Sequence, residues 1–486
     1  MKYKNLIIII IYLLICLIPV FFKTPFYDEA HSYMISQLSL SEIFNLTKIE
    51  GHPALWYLLN KIFCPNLSNY PYNILLLNWI IYCLLTLFIF FLSPFNLFAK
   101  ILILFSYPFF QYYSTTSRPY GLSVLVLFIL AYLYKNSITK KPFLFGISLF
   151  ICTQLNVFCL FGAFAFYILT IIDFFKNKFN SKKAILIISV LFLLGLFLFL
   201  AQVFNLNIEQ MRDLQQIEAF RQSFLKFIFP FYSVDFNINI FQNIFYWLVA
   251  ITFYLSTFIF YKTSKHSFIF LSLTYLLTTI FFFNFYIGSF WHYFFYFIYL
   301  IIAYWISYEK FKDQKFLNYL FTIILFFLIT PYSLFYSGKS YELETSHYKI
   351  MLEEIKNLNQ NSKFFCFDYY SPFSAGVLPY LTKEKITIYD INFKPLNSFE
   401  SLKMTFKNKN LTLDLDEFIL NLDKNKKNYL INQATNLTKN CFKKENLEII
   451  KNKGFIYKNK NHSLYFKNIK YFEGFDFAIY EIIQLN

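Results

Sequence analysis

Long runs of apolar residues recur along this 486-residue chain, and they constrain its fold more than any other feature. Many of them reach roughly 18 residues, the length that an α-helix needs to cross the hydrocarbon of a bilayer. Only 15% of the residues are charged and 57% are hydrophobic, so the chain cannot cover its apolar side chains with polar surface. A soluble single-domain enzyme, a disordered protein and a disulfide scaffold are excluded. The sequence predicts a polytopic α-helical membrane protein.

We predict about eleven spans from the apolar runs. The first run follows Lys2 and Lys4, and no small-residue cleavage site comes after it, so we interpret it as an uncleaved helix rather than a signal peptide. Residues 143–175 are too many for one span, and Gln154 with Asn156 offers a turn between two short helices. The predicted spans lie near residues 6–22, 72–92, 97–113, 119–134, 143–156, 157–175, 184–204, 241–261, 267–287, 291–307 and 316–336.

Lysines concentrate in alternate loops between these spans, which predicts an orientation. With the N-terminus inside, the inner loops contain most of them, including Lys100, Lys135, Lys140, Lys141, Lys176, Lys182 and Lys183. The positive-inside rule favours this arrangement, and it assigns the net charge of +16 to the membrane flanks and their lipids rather than to nucleic acid. We therefore predict a multi-pass protein of the cell inner (cytoplasmic) membrane.

An odd number of spans places residues 337–486 outside the membrane, as an extracytoplasmic or periplasmic domain after the transmembrane module of residues 1–336. Short stretches with alternating apolar residues predict strands, and residues 348–358 have helical periodicity, so we predict a small α/β domain. The domain would cover the reaction site or guide an acceptor, or else act as a structural cap. Cys366 and Cys441 could form a disulfide bridge there.

Two large outer loops remain, at about residues 23–71 and 205–240. The first loop predicts three short helices along the membrane surface, Glu29–Leu38, Ser41–Lys48 and Pro53–Phe63. Ser39 and Glu42 have the spacing of a capping box, and Pro53 suits the first turn of the third helix.

The first outer loop also contains a dense group of polar residues. Asp28 and Glu29 come just after the first span, and acids at a helix start are common for helix-dipole reasons alone. His31 lies three residues after Asp28, so both side chains can share one helix face. Glu50 and His52 follow within the same loop. Carboxylates, imidazoles and aromatic rings together predict a reaction site at the outer surface.

The three arginines are a second signal, because the chain otherwise uses lysine as its base. Arg118, Arg212 and Arg221 all fall on the predicted outer side. The planar guanidinium matches phosphate oxygens with two parallel hydrogen bonds, a geometry that lysine does not reproduce. The alternative is that the three arginines fall on one side by chance, or pair with the nearby Asp213 and Glu218 in ion pairs that contribute little. Arg118 opens a span, where an ionisable group is costly without a partner.

His292 begins a late span between Trp291 and Tyr293, where a hydrogen-bonded interfacial histidine and aromatic belt anchors are the simpler interpretation. The sequence contains no HExxH motif, paired CxxC motif, glycine-rich phosphate loop or DxD cluster. We accordingly predict neither a metal site nor a cofactor.

Three segments resemble membrane glycosyltransferases of the GT-C class, in particular the bacterial protein O-mannosyltransferase and aminoarabinose transferase-like group. They are Tyr27-Asp28-Glu29-Ala30-His31-Ser32, residues 50–57 (EGHPALWY) and Arg118-Pro119-Tyr120-Gly121. The chain departs from the group at Trp291-His292, where an arginine would precede the histidine.

The resemblance implies inverting transfer of a sugar from a polyprenyl-phosphate donor to a glycan, lipid or protein acceptor at the outer face. It implies Asp28 as general base with Glu29 as its helper. Other residues would contact the substrate: His31, Glu50, His52, Arg118, Tyr120, Arg212, Arg221 and His292.

Two other functions are compatible with many spans. A transporter or flippase of lipid-linked sugars would favour ionisable groups at mid-membrane, whereas here they crowd the outer surface. A polysaccharide polymerase or ligase would share the substrate and the membrane face, but gives no reason for an acidic pair directly after the first span.

Overall fold

Apolar helices form the N-terminal part of the protein, and a β-sheet with flanking helices forms the C-terminal part, in this computed structural model. The structure describes residues 2–50, 52–136, 138, 140–176, 181–203, 251, 254–284 and 290–311 of the first part. In the second part it describes residues 351–358, 362–366, 372–390, 393–397, 415–422, 425–433, 447–450, 454–458, 463–472 and 477–485. The predicted domain boundary at residues 336/337 and the predicted loop 205–240 lie outside these ranges, as does Cys441.

Twelve α-helices lie within the described residues of the N-terminal part, together with a 3-10 turn at Leu67–Asn69 and the helical residues 254–263. They are α1 (Lys2–Phe22), α2 (Tyr27–Ser36), α3 (Leu40–Glu50), α4 (Leu55–Phe63), α5 (Tyr72–Leu92), α6 (Leu97–Phe105), α7 (Tyr120–Asn136), α8 (Pro142–Thr153), α9 (Val157–Phe175), α10 (Lys182–Val203), α11 (Lys265–Asn284) and α12 (Phe290–Phe311).

Several of these helices could span a membrane. Within the described residues, four are long and apolar enough: α5, α9, α10 and the first 18 residues of α11. Helices α1 and α2 pass the same test only as a pair, and the chain bends by 78° between them. Helix α8 has 12 residues and is about 18 Å long, which is short of a bilayer core. The predicted span 316–336 lies outside the described residues, and 241–261 is described only in part.

The predicted span over residues 97–113 is wrong as a continuous helix. Helix α6 ends after nine residues, and a π-helical turn follows at Pro108–Tyr113. Pro108 has no N–H to continue the helical ladder, and the Ser106 hydroxyl instead donates to the carbonyl of Ile103 at 2.6 Å. The turn between Gln154 and Asn156 is confirmed, because Asn156 caps α9 by accepting from the N–H of Cys159 at 2.8 Å.

Helix α12 lies at the centre of the helical part. All residues from 293 to 305 are buried, and they pack with the buried faces of α7, α9 and α11 in one hydrophobic cluster. Helices α1 and α10, by contrast, expose large apolar side chains along one side, such as Ile7 and Ile11 on α1 and Val190 and Phe197 on α10. Exposed apolar stripes of this kind are typical of helices that contact lipid.

The three short helices predicted in the first loop are confirmed as helices, with ends shifted by at most two residues, as expected for fraying termini. The capping box is also confirmed: the Glu42 carboxylate accepts from the N–H of Ser39 at 2.9 Å, and the Ser39 hydroxyl accepts from the N–H of Glu42 at 3.4 Å. Helix α4 begins at Leu55 and not at Pro53, and the side chain of Gln202 accepts a hydrogen bond from the N–H of Ala54, the residue before the helix, at 2.8 Å.

The C-terminal part contains a seven-stranded sheet, and the predicted α/β character is confirmed for the residues described. Its strands lie in the order β2-β1-β3-β7-β6-β5-β4; β1 pairs with β2 and β3 in parallel, and the other pairs are antiparallel. The strands are β1 (Ser362–Phe365), β2 (Ile388–Tyr389), β3 (Lys427–Gln433), β4 (Leu447–Ile450), β5 (Gly454–Lys458), β6 (Ser463–Phe472) and β7 (Phe477–Leu485).

Alternating side chains of this sheet form two cores, one on each face. Phe364 packs with the helical residues 351–358 and with α13 (Pro372–Lys383), whereas Phe365 packs on the opposite face with α14 (Leu415–Asn421). The period of two along the strands thus gives helices on both faces.

Candidate active site

Helix α2 begins where the chain turns away from α1, and the side chain of Glu29 caps its N-terminus. Its carboxylate accepts from the backbone N–H of Phe26 at 2.6 Å, which satisfies a donor that the helix itself leaves unpaired. The ammonium group of Lys23 lies 2.8 Å from the same carboxylate and also donates to the carbonyl of Thr115 at 2.7 Å. Lys23 and Glu29 therefore bind the start of α2 to the segment before α7.

The two neighbouring acids have different environments. Glu29 is 1% exposed, and its second carboxylate oxygen accepts from the backbone N–H of Ser117. Asp28 is only partly buried. Its backbone carbonyl, rather than its carboxylate, accepts from the guanidinium of Arg118. Glu29 is thus occupied by hydrogen bonds to backbone N–H groups and to Lys23, whereas Asp28 is the less buried of the two acids.

Arg118 is buried beside α2, just before α7. One terminal nitrogen donates to the Asp28 carbonyl at 3.0 Å and to the Ser32 hydroxyl at 2.6 Å. Burial opposes the charged guanidinium and is the largest single effect, but the combined electrostatic effects of Asp28, Tyr120, Tyr57 and Glu50 outweigh it and raise the pKa of Arg118 well above its usual value. Its Nε is buried and has no hydrogen-bond partner among the described residues. Arg118 is therefore a cation held in place by α2, and its Nε–H is a hydrogen-bond donor that no described residue uses.

Glu50, at the end of α3, closes a second polar contact with α2. Its carboxylate lies 3.4 Å from Nε2 of His31 and accepts from the hydroxyl of Tyr57 on α4. Burial acts to raise the pKa of Glu50, but the hydrogen bond and charge of His31, and then the charge of His52, lower it to about 2. Glu50 is therefore ionised at neutral pH and links the three surface helices.

His52 lies between this contact and the Arg118 contact. Burial, followed by the positive charge of Arg118, lowers the pKa of His52, while the carboxylates of Glu50 and Asp28 act in the opposite direction. The imidazole is accordingly neutral at pH 7, when one ring nitrogen can accept a hydrogen bond.

His292 joins the same region from the first turn of α12. Its Nε2 lies 3.0 Å from the hydroxyl of Tyr120, which is two residues after Arg118. The neighbouring indole of Trp291 stacks on Tyr112 with ring centroids 6.0 Å apart, and meets the ring of Phe26 edge-on at 6.5 Å. The aromatic residues of α12 thus pack against the residue that precedes α2.

Eight of the ten predicted site residues are therefore brought to one region: Asp28, Glu29, His31, Glu50, His52, Arg118, Tyr120 and His292. Arg212 and Arg221 lie outside the described residues. Sequence reasoning did not single out Lys23, Ser32, Tyr57 and Ser117. Ser32 has a recognisable signal, since it comes one helical turn after Asp28; the contacts of Lys23 and Ser117 join distant segments and leave no local pattern.

The arrangement combines a partly exposed carboxylate, a buried guanidinium and a neutral imidazole, which suits proton transfer beside a bound anion. Within the described residues, no group of three or more His, Cys, Asp and Glu side chains is placed to hold a metal ion. No protein-family model and no curated protein matches the chain.

Proposed function

We propose that this protein is an integral membrane glycosyltransferase of the GT-C type, which moves a sugar from a polyprenyl-phosphate donor to an acceptor. The observation that carries the proposal is the buried guanidinium of Arg118 beside Asp28, the acid that follows the first apolar helix. A donor with a lipid tail places its phosphate at the membrane interface, so its enzyme needs charged groups at the end of a span. The acceptor is a glycan, a lipid or a protein.

Asp28 would act as the general base. Its carboxylate accepts the proton of the acceptor hydroxyl, whose oxygen forms a bond to the anomeric carbon of the sugar. The bond from that carbon to the phosphate oxygen breaks at the same time, and the electron pair leaves with the lipid phosphate. A phosphate leaves as a stabilised anion and needs no protonation, so one carboxylate suffices where a glycosidase needs two. Displacement from the opposite face inverts the anomeric centre.

Arg118 would neutralise the leaving phosphate. The guanidinium is held in place by α2, and its buried Nε is an unused donor among the described residues. A preorganised cation of this kind contributes roughly 3 kcal/mol of barrier lowering, because it need not reorient as charge develops. Tyr120 and His292 would contact the donor beside it, and we include Arg212 and Arg221 as further phosphate ligands.

The remaining polar residues would position these two groups. Glu29 holds the start of α2 to Ser117, the residue before Arg118, so the carboxylate and the guanidinium move as one unit. His31, Glu50 and His52 would orient the acceptor hydroxyl or touch phosphate. The proposed location is the cell inner (cytoplasmic) membrane, with the C-terminal part on the extracytoplasmic side.

The decisive experiment is transfer from a radiolabelled polyprenyl-phosphate sugar by the purified full chain in lipid nanodiscs. We expect a glycosylated product from the wild type and loss of turnover in Asp28→Asn, with donor binding retained. Asp416→Asn is the matched control, because Asp416 also lies in the first turn of a helix but in the C-terminal part. Full activity of Asp28→Asn would refute the base assignment.

A second arm of that experiment tests Arg118. Arg118→Lys keeps the charge but loses the planar fork, so we expect turnover to fall by about 100-fold, the scale of one lost transition-state donor. The alternative of a transporter makes the opposite prediction. A flippase would move labelled lipid across a vesicle membrane without forming product, and Asp28→Asn would leave that movement unchanged.

A further inference from the structure

Helix α2 belongs to two packing units at once. Met34, near its end, is 4% exposed and lies in the hydrophobic core of the C-terminal part. Its partners in that core include Met351 and Ile355 of the helical residues 351–358, and Leu378 and Leu381 of α13. A side chain of the helix that carries Asp28 is thus part of the core of the C-terminal sheet domain.

A stack of tyrosines makes a second contact between the two parts. Tyr33 of α2 stacks on Tyr70 with ring centroids 4.9 Å apart. Tyr380 of α13 packs edge-on against the same Tyr70 ring, also with ring centroids 4.9 Å apart. The ammonium group of Lys383 donates to the carbonyl of Tyr70 at 3.2 Å. Helix α13 is therefore fixed both to α2 and to the segment that leads into α5.

The first turns of α2, before Tyr33 and Met34, make the contacts of the candidate active site. Asp28 and Ser32, one turn apart, hold the guanidinium of Arg118, and Glu29 holds the N–H of Ser117. Met34 lies about 9 Å further along the helix axis than Asp28. The helix has 10 residues, and helices shorter than about 12 residues are marginal in isolation, so α2 takes its position from packing at both ends.

We propose that the C-terminal domain is a positioning element of the active site, which holds α2 through Met34, Tyr33 and the Tyr70–Tyr380 contact. The domain then determines where the Asp28 carboxylate stands relative to Arg118. This positioning role differs from covering the site or guiding an acceptor, and it makes the domain part of the catalytic apparatus rather than a passive cap. The structural half of this inference is independent of the reaction; its catalytic half rests on the proposed function.

Hydrogen exchange of the full chain in nanodiscs tests the structural half without any activity assay. Tyr380→Ala and Met34→Ala should speed exchange of the α2 amides by about tenfold, because α2 opens locally when its outer packing is removed. Exchange in α5 should stay as in the wild type. Tyr380→Phe keeps the ring and should restore protection of α2. Leu420→Ala is the matched control, since Leu420 is 82% exposed on α14.

Lys383→Ala, which removes a single hydrogen bond, provides a milder variant if either alanine variant fails to fold. Wild-type exchange of α2 in Tyr380→Ala, Met34→Ala and Lys383→Ala together would overturn the inference.

The catalytic half is tested by kinetics. For Tyr380→Ala we expect kcat to fall by about tenfold with KM for the donor nearly unchanged, because the carboxylate is misplaced while the phosphate ligand remains. Recovery of kcat in Tyr380→Phe would support positioning by the ring. Faster exchange of α2 with wild-type kcat would overturn the positioning role. If the wild type itself transfers no sugar, the proposed function fails, whereas faster exchange in the same variants still supports the docking of α2.

Discussion

The carboxylate of Glu29 accepts a hydrogen bond from the backbone N–H of Ser117, a residue 88 positions further along the chain. Asp28 and Arg118 are the immediate neighbours of these two residues. One buried contact therefore joins the chain segments that carry Asp28 and Arg118. Of the two adjacent acids, the buried one holds the site and the other remains available for chemistry.

Replacing Glu29 should lower the free energy of unfolding by more than the loss of a single hydrogen bond would. Glu29→Gln removes the carboxylate charge that lies 2.8 Å from the buried ammonium group of Lys23, and breaking a buried pair in this way costs about 3–5 kcal/mol. We expect a marked fall in the thermal unfolding midpoint in detergent. Glu42→Gln is the control, because Glu42 caps α3 from a more exposed position and its loss costs about 1 kcal/mol. Equal shifts for the two variants would contradict the structural role of Glu29.

The pKa of Glu50 predicts how stability depends on pH. Its folded-state pKa of about 2 lies below the ordinary value of 4.5, so its contribution is complete above pH 4.5 and is lost as the pH falls toward 2. The full contribution is about 3 kcal/mol, at 1.36 kcal/mol per pKa unit. Unfolding midpoints at a series of pH values below neutrality should fall more steeply for the wild type than for Glu50→Gln.

Glu353→Gln is the matched variant for that pH series, because Glu353 is exposed in the C-terminal part. Its curve should run parallel to that of the wild type. A Glu50→Gln curve that is also parallel to the wild type would show that the contacts of Glu50 with His31 and Tyr57 do not stabilise the folded state.

Local patterns were sufficient to predict the surface helices and part of the sheet. The capping box at Ser39 and Glu42 is a signal within four residues, and it forms as predicted. Strand β7 is rich in β-branched, aromatic and other apolar residues, a local composition that is typical of strands. Strand β6 was not singled out, because an irregularity between Asn468 and Lys470 interrupts its alternation. Whether such a segment forms a strand depends on its pairing with a distant strand, which the residue pattern of the segment alone does not show.

The break in the predicted span 97–113 has a different cause. By hydropathy alone, residues 97–113 are one apolar run, but Pro108, which lacks an N–H, and the back-bonding hydroxyl of Ser106 end the helix there. Likewise, Asp28 and Arg118 could be predicted as site residues by their chemistry, but their partners could not. Lys23, Ser117 and Gln202 act through contacts between segments that only the fold brings together.

Gln202 should prove important for the segment that contains His52. Its side-chain oxygen accepts from the N–H of Ala54, and its amide donates to Gln154 at 2.8 Å. Gln154 in turn donates to the carbonyl of Gly195 at 2.8 Å. Gln202→Leu leaves a backbone donor and an amide oxygen without partners, so we expect a loss of about 1–3 kcal/mol in the free energy of unfolding.

The double variant Gln154→Leu/Gln202→Leu distinguishes a connected network from two separate contacts. Because both residues share one hydrogen bond, the double variant should lose clearly less stability than the sum of the single variants. Ser189→Ala, which removes one part-buried hydrogen bond from Tyr167 to the same helix α10, is the control and should cost about 1 kcal/mol. Strictly additive effects would contradict the network.

Gly195 is predicted to be required by the close packing of α8 against α10. A Cβ atom there would lie 2.5 Å from the hydroxyl of Thr153 and 3.1 Å from the Cα atom of Phe150, and the second of these is backbone that cannot rotate away. Gly195→Ala should therefore lower the free energy of unfolding by about 1–3 kcal/mol, despite the better helix propensity of alanine. Gly121→Ala is the matched control, since the nearest atom to its Cβ would be the carbonyl oxygen of Tyr113 at 3.6 Å, an ordinary contact. Thermal unfolding of both variants in the same detergent checks the comparison, and an unchanged midpoint for Gly195→Ala would mean that α8 and α10 are further apart than the structure places them.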